Sequence, residues 1–313
     1  MKEFRFLQGE YPEDFTLNFT ESIFNRIEHR LLQSEKNWVS FFILNDKAKK
    51  IEGSFHVHIN EWEAKSPYRA PFGSVEFSKN VSAGILFDFI EFIGDSLKNQ
   101  DIEKITIKMP VLAYSENIIS LLHVLFISKG YQVETAEISS VIHVSDKDFI
   151  NIIKDSERHV LNQCHKKNFI CKQLPYQKLE EVYSFIDEHQ KLKGYDLSMS
   201  LEELINTVEE FQNDFFLFAV LDQEKIIAAS VSIRVMDHVL YNFYLAHDVK
   251  YNSFSPVIAI IETLYNFCRE NSFSILDQGT SMLQGEPNQP LLDFKLRLGG
   301  VTSEKLTLFK KLN

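Results

Sequence analysis

The sequence predicts an α/β protein of the α+β kind, built as two tandem units. Each unit reads as a mixed, mainly antiparallel sheet flanked by helices. Three observations predict this. Apolar residues switch repeatedly between a strand period and a helix period along the chain. The same order of elements runs twice. A polar turn, Ser145-Asp146-Lys147, separates the two runs into residues 1–145 and 146–313. The halves share architecture and not residue identity. No low-complexity linker joins them, which predicts close packing.

The first run opens with a short strand, Phe4 to Leu7. Phe19, Ile23, Phe24, Ile27 and Leu31 then fall at helical spacing, which predicts a helix over Phe19 to Leu32. Trp38 to Leu44 and Ile51 to Ile59 read as a hairpin across Asn45-Asp46-Lys47. A loop rich in Pro and aromatics, 66–73, leads to a strand at Val75 to Phe77. Ser82 is placed to cap a helix whose apolar face is Ile85, Leu86, Phe89, Ile90, Ile93 and Leu97. Lys104 to Met109 is a strand stopped by Pro110. Glu116 to Ser128 is a helix ended by Gly130, and Val133 to Val144 is a long strand.

The second run repeats the order. Asp148 to Lys166 is helical, and Phe169 to Leu174 is a strand. Helices at Leu179 to Lys191 and Leu201 to Phe211 follow. Phe215 to Leu221 and Ile226 to Val235 form a hairpin, and Val239 to Ala246 is the next strand. Pro256 to Glu270 is a helix with proline in its first turn, where a missing N–H costs nothing. Ser274 to Asp277 is a short strand. Leu291 to Leu298 is a helix ended by Gly299-Gly300, and Glu304 to Lys310 is the last strand.

Of the 313 residues, 44% are hydrophobic and 25% charged, which excludes global disorder. Lys and Arg number 33 against 44 Asp and Glu, a formal charge of −11. That charge argues against a protein that coats nucleic acid broadly. No apolar run reaches the roughly 20 residues of a membrane span. The N-terminal residues lack the apolar stretch of a secretory signal. Cys164, Cys171 and Cys268 are too few and scattered for a disulfide framework. These features predict a cytoplasmic protein. Walker, dinucleotide and zincin motifs are absent from the sequence. His56-Val57-His58, with Glu61 or Glu63 near, is a weak metal signal and is read as structural.

Three stretches carry a resemblance to a known family. They are Ser66-Pro67-Tyr68-Arg69-Ala70-Pro71-Phe72-Gly73-Ser74-Val75-Glu76, Asp155-Ser156-Glu157-Arg158-His159-Val160-Leu161, and Leu276-Asp277-Gln278-Gly279-Thr280-Ser281 leading to Phe294-Lys295-Leu296-Arg297-Leu298-Gly299-Gly300. An antiparallel meander, a long helix and a strand–helix–strand tail resemble the GNAT acyltransferases. Two such units in one chain resemble the Fem-type peptidoglycan aminoacyl transferases. The resemblance implies transfer of an acyl or aminoacyl group to an amine. The acceptor it implies is a small amine or a cell-envelope precursor. It implies acyl-CoA or aminoacyl-tRNA as donor, and no metal. GNAT enzymes that use acyl-CoA usually carry a Gly-rich turn before the central helix. Here the turn from His247 to Pro256 has no glycine, which argues against a pyrophosphate cradle. The inserted helical hairpin that Fem-type tRNA users often carry is also absent, and the net charge disfavours tRNA. The alternative to an enzyme is a catalytically silent relative that binds an envelope precursor or a protein partner.

The resemblance points to a crevice in the second unit, with the first unit supplying one wall. It implies that Asn242 or Tyr244 orients the acceptor and that Tyr251 or Ser255 donates to the carbonyl, against the blander reading of tyrosines that fill a half-buried sheet face with their hydroxyls in water. Asp277 ends a strand beside Gln278, Gly279, Thr280 and Ser281, where a carboxylate faces a crevice or caps its own loop. In a crevice it would take the amine proton or bind a cationic amine. Lys295 would pair with Asp277 or bind phosphate or carboxylate, against the blander reading of a snorkelling surface lysine. Tyr68 and Arg69 lie in the proline-pinned loop. Arg69 binds an anion there or simply pairs with Glu76.

Overall fold

The structure, a computed structural model, describes residues 4–312. Met1 to Glu3, part of the stretch read for a secretory signal, lie outside the described residues. The fold class is as the sequence predicts: α/β, with mixed sheets flanked by helices. The chain divides into two compact units, Met1–Glu137 with Glu304–Asn313, and Ile138–Ser303.

The first unit is built on the hairpin Trp38–Asn45 and Lys50–Asn60. Arg5–Gln8 pairs antiparallel with the first arm and Glu63–Ser66 with the second. Lys104–Lys108 then runs parallel to Glu63–Ser66. The helix Ala83–Lys98 begins where expected, with Ser82 accepting from the Ile85 N–H. It buries Leu86, Phe89, Ile90 and Ile93 against Phe41, Phe55 and Ile105. The helix expected over residues 19–32 is helical only at Ile27–Gln33. Upstream, the Ser22 N–H donates to the Glu76 carboxyl, and Asn25 N–H to Ser22 O. Those bonds commit the backbone to turns, which bury Ile23 and Phe24 without a helix.

In the second unit, Ile170–Leu174, Phe215–Asp222, Lys225–Met236 and Val239–His247 form an antiparallel meander. Ile275–Thr280 joins it in parallel, beside Val239–His247. The helix Pro256–Glu270 packs Ile258, Ile261, Leu264 and Tyr265 into this unit's core. The Tyr265 hydroxyl donates to Lys147 O at 2.9 Å, tying down the polar turn at the division of the sequence. The helix expected over residues 148–166 is two helices, Phe149–Ile152 and Asp155–His165. Ile153 is extended between them, and Lys154 N–H donates to Arg297 O.

The sequence boundary at residue 145 needs correction, because the last strand of each run pairs in the other unit. Residues 138–143 of Gln132–His143 lie in the second unit, antiparallel to Ile275–Thr280. Residues 307–311 of Val301–Lys311 lie in the first unit, antiparallel to Lys104–Lys108. Leu306, Leu308 and Leu312 are part of the first unit's core.

Candidate active site

Val239–His247 and Ile275–Thr280 are the two parallel strands of the second unit. They pair at only three positions, Val239↔Ile275, Leu240↔Leu276 and Tyr241↔Asp277. Beyond this level each strand is irregular. Against Lys225–Met236, Val231 faces Tyr244 and Ser232 faces Asn242, leaving Phe243 as an extra residue. Against Gln132–His143, the register shifts between Asp277 and Thr280. Such bulges bend a strand and end its pairing with a neighbour. A cavity of about 650 Å³ lies at the carboxyl ends of the parallel strands, where crevices of α/β sheets form. Tyr241, Asn242, Phe243 and Leu245 line it from one strand, and Gln278, Gly279 and Thr280 from the other. Ser255, Val257 and Ile261 approach from the central helix, and Phe294 and Lys295 from Gln289–Arg297. Every described lining residue belongs to the second unit.

Lys295 is 7% exposed. Its ammonium donates to Gly279 O at 2.8 Å and Thr280 O at 2.9 Å. Gly279 sits at φ +76°, a left-handed conformation that glycine adopts without strain. Its N–H donates to Asp277 Oδ1 at 2.7 Å, so Asp277 holds the turn that holds Lys295. Ser139 Oγ donates to the same carboxylate oxygen at 3.2 Å. The helix carrying Lys295 ends in a Schellman turn. Gly299 takes φ +82° and Gly300 N–H bonds back to Lys295 O. Burial pulls the Lys295 ammonium down to about 8, partly offset by the nearby Asp277 carboxylate. Its charge is therefore present at neutral pH and lost as pH rises through about 8. We expect the affinity of any anionic ligand in the cavity to fall over that interval, as calorimetric titration at several pH values would show. The linkage to stability has a definite sign. A depressed lysine pKa contributes stability that is full above the ordinary value of 10.5 and lost as pH falls through about 8.

Lys193 and His247 also line the cavity. Burial lowers the pKa of Lys193. The His247 pKa is lowered by burial first, then by Lys193 and His189, against an opposing bond to Asn252. His247 Nε2 donates to Asn252 Oδ1 at 2.7 Å. Ser255 caps the central helix in a left-handed conformation, φ +45° and ψ +62°. Strain of this kind in a non-glycine residue clusters at functional sites. Lys193, His247 and Asn252 escape motif reading because helix end, strand end and turn meet only on folding.

The structure gathers some of the expected site residues and disperses others. Asn242, Ser255, Gln278, Thr280 and Lys295 line the cavity. Asp277 is 2% exposed and is not a lining residue, so its role is to hold the loop. Lys295 spends two hydrogen bonds on carbonyls and not on Asp277. Ser281 is wholly buried off the cavity. Tyr251 lies off the cavity and donates to Asp222 at 2.8 Å. Tyr244 lies off the cavity as well. Its hydroxyl accepts from Met199 N–H at 3.0 Å and bonds Ser198 Oγ at 2.7 Å. Tyr244→Phe should therefore cost about 1 kcal/mol and lower Tm by about 2–4 °C, while activity stays within a few-fold. Calorimetry and turnover on the same sample check this; a large loss of kcat at unchanged Tm would restore a catalytic role.

Tyr68 and Arg69 belong to the first unit, outside this cavity. Tyr68 stacks on His58 with ring centroids 3.9 Å apart, and Arg69 N–H donates to Gln33 Oε1 at 2.8 Å. His56 Nδ1 lies 2.9 Å from Ser40 Oγ, and His58 Nε2 lies 3.1 Å from Ser34 Oγ. Among the described residues, no group of three or more His, Cys, Asp or Glu is arranged to hold a metal ion. Burial pushes the Cys164 thiol up to about 12, far from a nucleophilic thiolate at neutral pH.

No protein-family model and no curated protein sequence matches this chain. Solved structures do. FemX is similar with a TM-score of 0.69 at 11% identity, over 93% of this chain and 92% of that one. The fold is similar to that of FemX. The C-terminal domain of a putative lysylphosphatidylglycerol synthetase from Agrobacterium fabrum is also similar. That match has a TM-score of 0.55 at 6% identity, over 82% of this chain and 80% of that one. A conserved protein of unknown function from Bacteroides thetaiotaomicron matches at 0.56 and 11% identity, over 91% and 90%. Among the described residues, no helix is long and apolar enough to cross a membrane.

Proposed function

We propose that this chain is an acyltransferase that forms an amide in the second-unit cavity, passing an acyl or aminoacyl group to an amine. The single observation that carries the reading is Lys295. A desolvated ammonium is anchored by two backbone carbonyls where the parallel strands stop pairing. The Fem-type fold supports it.

In the proposed reaction the amine nitrogen attacks the acyl carbonyl carbon and a C–N bond forms. Negative charge develops on the carbonyl oxygen, and the third N–H of Lys295 faces it. The bond from carbon to the donor's ester oxygen or thioester sulfur then breaks, and its electron pair leaves with that atom. The amine proton departs to the leaving group or to water. Asn242, Thr280 and Ser255 position the two substrates, and Asp277 acts through Gly279 as a positioning residue. The proposed acceptor is a small amine or envelope precursor, and the proposed setting is the cytoplasm. Acyl-CoA and aminoacyl-tRNA are the donor classes to separate. The test offers acetyl-CoA, longer acyl-CoAs and aminoacyl-tRNA with a lysine-containing peptide, and detects the new amide by mass spectrometry. Absence of amide from every donor would overturn the reading.

One observation favours a second reading, a silent relative that binds an envelope precursor. Among the described residues lining the cavity, none is a carboxylate placed to act as a base. That reading predicts ligand binding without turnover, and Asp277→Asn would then alter affinity alone.

A further inference from the structure

The chain carries a formal charge of −11, yet its cavity has the opposite character. Among the described lining residues there is no aspartate or glutamate, while Lys193, His247 and Lys295 are all present. Lys193 is exposed and makes no ion pair among the described residues. Lys295 spends two donors on Gly279 O and Thr280 O, leaving one of an ammonium's three. Its nearest acid, Asp277, is turned to Gly279 N–H and Ser139 Oγ and does not line the space. Gln278 is 8% exposed and lines the cavity, while its Nε2 is buried against Gly300, 2.8 Å from where a Cβ there would stand. A buried ammonium with a donor left over is costly unless a ligand supplies the acceptor.

We infer that the cavity selects an oxyanion, a carboxylate or a phosphate, held by Lys295, and disfavours a substrate group bearing a free ammonium there. The inference rests on the proposed transfer reading and narrows it. The group seated against Lys295 is an acyl group without a free α-amine, or the anionic portion of a donor or acceptor. A cationic aminoacyl group meets like charge from Lys193 and Lys295, with no cavity-lining carboxylate to offset it.

Four small probes differing in charge test this on the full chain. They are N-acetylalanine (anionic), N-acetylalaninamide (neutral), alaninamide (cationic) and inorganic phosphate. Titration is followed by the backbone amides of Gln278, Gly279 and Thr280 in ¹H–¹⁵N spectra. The expected result is saturable shifts from N-acetylalanine or phosphate, at least about tenfold tighter than from alaninamide. Whichever anion binds more tightly tells carboxylate from phosphate. Lys295→Met should erase the anion preference. Equal or tighter binding of alaninamide would overturn the inference, as would an anion preference that survives Lys295→Met in a folded protein. The wild-type titration decides the matter even if Lys295→Met does not fold. Anion selection with no amide from any donor would remove the transfer reading alone. Amide formation from an aminoacyl donor with its α-amine free would remove this inference and keep transfer.

Discussion

Lys295→Met is expected to lower kcat/KM for amide formation by about 10²- to 10³-fold, the usual loss when one preorganised oxyanion donor is removed from a water-poor site. Methionine keeps most of the side chain's volume and removes the charge. The effect should fall on kcat, because charge on the carbonyl oxygen develops only in the transition state. A cost in stability accompanies it. Gly279 O and Thr280 O lose a charged donor, and each buried carbonyl left without a partner costs about 1–3 kcal/mol. Steady-state kinetics with the donor found active, beside a thermal melt, separates the two effects. A variant that folds and turns over at the wild-type rate would remove Lys295 from the mechanism. Gly279→Ala probes the same assembly from beneath. It strains a backbone at φ +76° and should move Thr280 O and Gly279 O away from the ammonium.

The second large effect concerns where the chain can be cut. A fragment of residues 1–145 is expected not to fold cooperatively. It lacks residues 307–311, which pair with Lys104–Lys108 over five positions, and it lacks the buried Leu306, Leu308 and Leu312. Losing three buried leucines from one core removes about 2–5 kcal/mol each. That exceeds a large part of the stability of a domain this size. Residues 146–313 suffer the matching loss, since the partner of Ile275–Thr280 is cut away. Without residues 138–143, the strand Ile275–Thr280 has an open edge next to the cavity. Residues 138–303, by contrast, keep every strand pair of the second unit. Circular dichroism melts of the three fragments provide the check. A sharp transition in 1–145 or 146–313, equal to that of 138–303, would contradict the exchange of strands.

Much of the architecture is written in local patterns. The helix from Ala83 announces itself by Ser82 and a one-sided apolar stripe, and the cap is formed in the fold. The helix from Pro256 and the Gly299 stop are equally local, because φ preferences of proline and glycine act on one residue at a time. From the tail stretch Asp277 to Gly300, Gln278, Thr280 and Lys295 line the cavity. Individual roles within it were less legible. A carboxylate at a strand end reads the same whether it faces a crevice or accepts its own loop's N–H, and here it does the latter. Tyr244 and Tyr251 read as site tyrosines, yet their hydroxyls are committed to Met199 and Asp222.

Periodicity, capping and turn chemistry are near-neighbour effects, so residue order alone specified most of the elements and their sequence. Strand partnership is a long-range choice governed by which faces can be buried together, and no short window records it. It was the folded chain that exchanged the two last strands between units and ended the parallel pairing at Tyr241 and Asp277. The same long-range packing brought Lys193, His247 and Lys295 around one space free of lining carboxylates. A buried ammonium acquires its chemistry from groups scattered along the chain, because desolvation depends on everything packed around it.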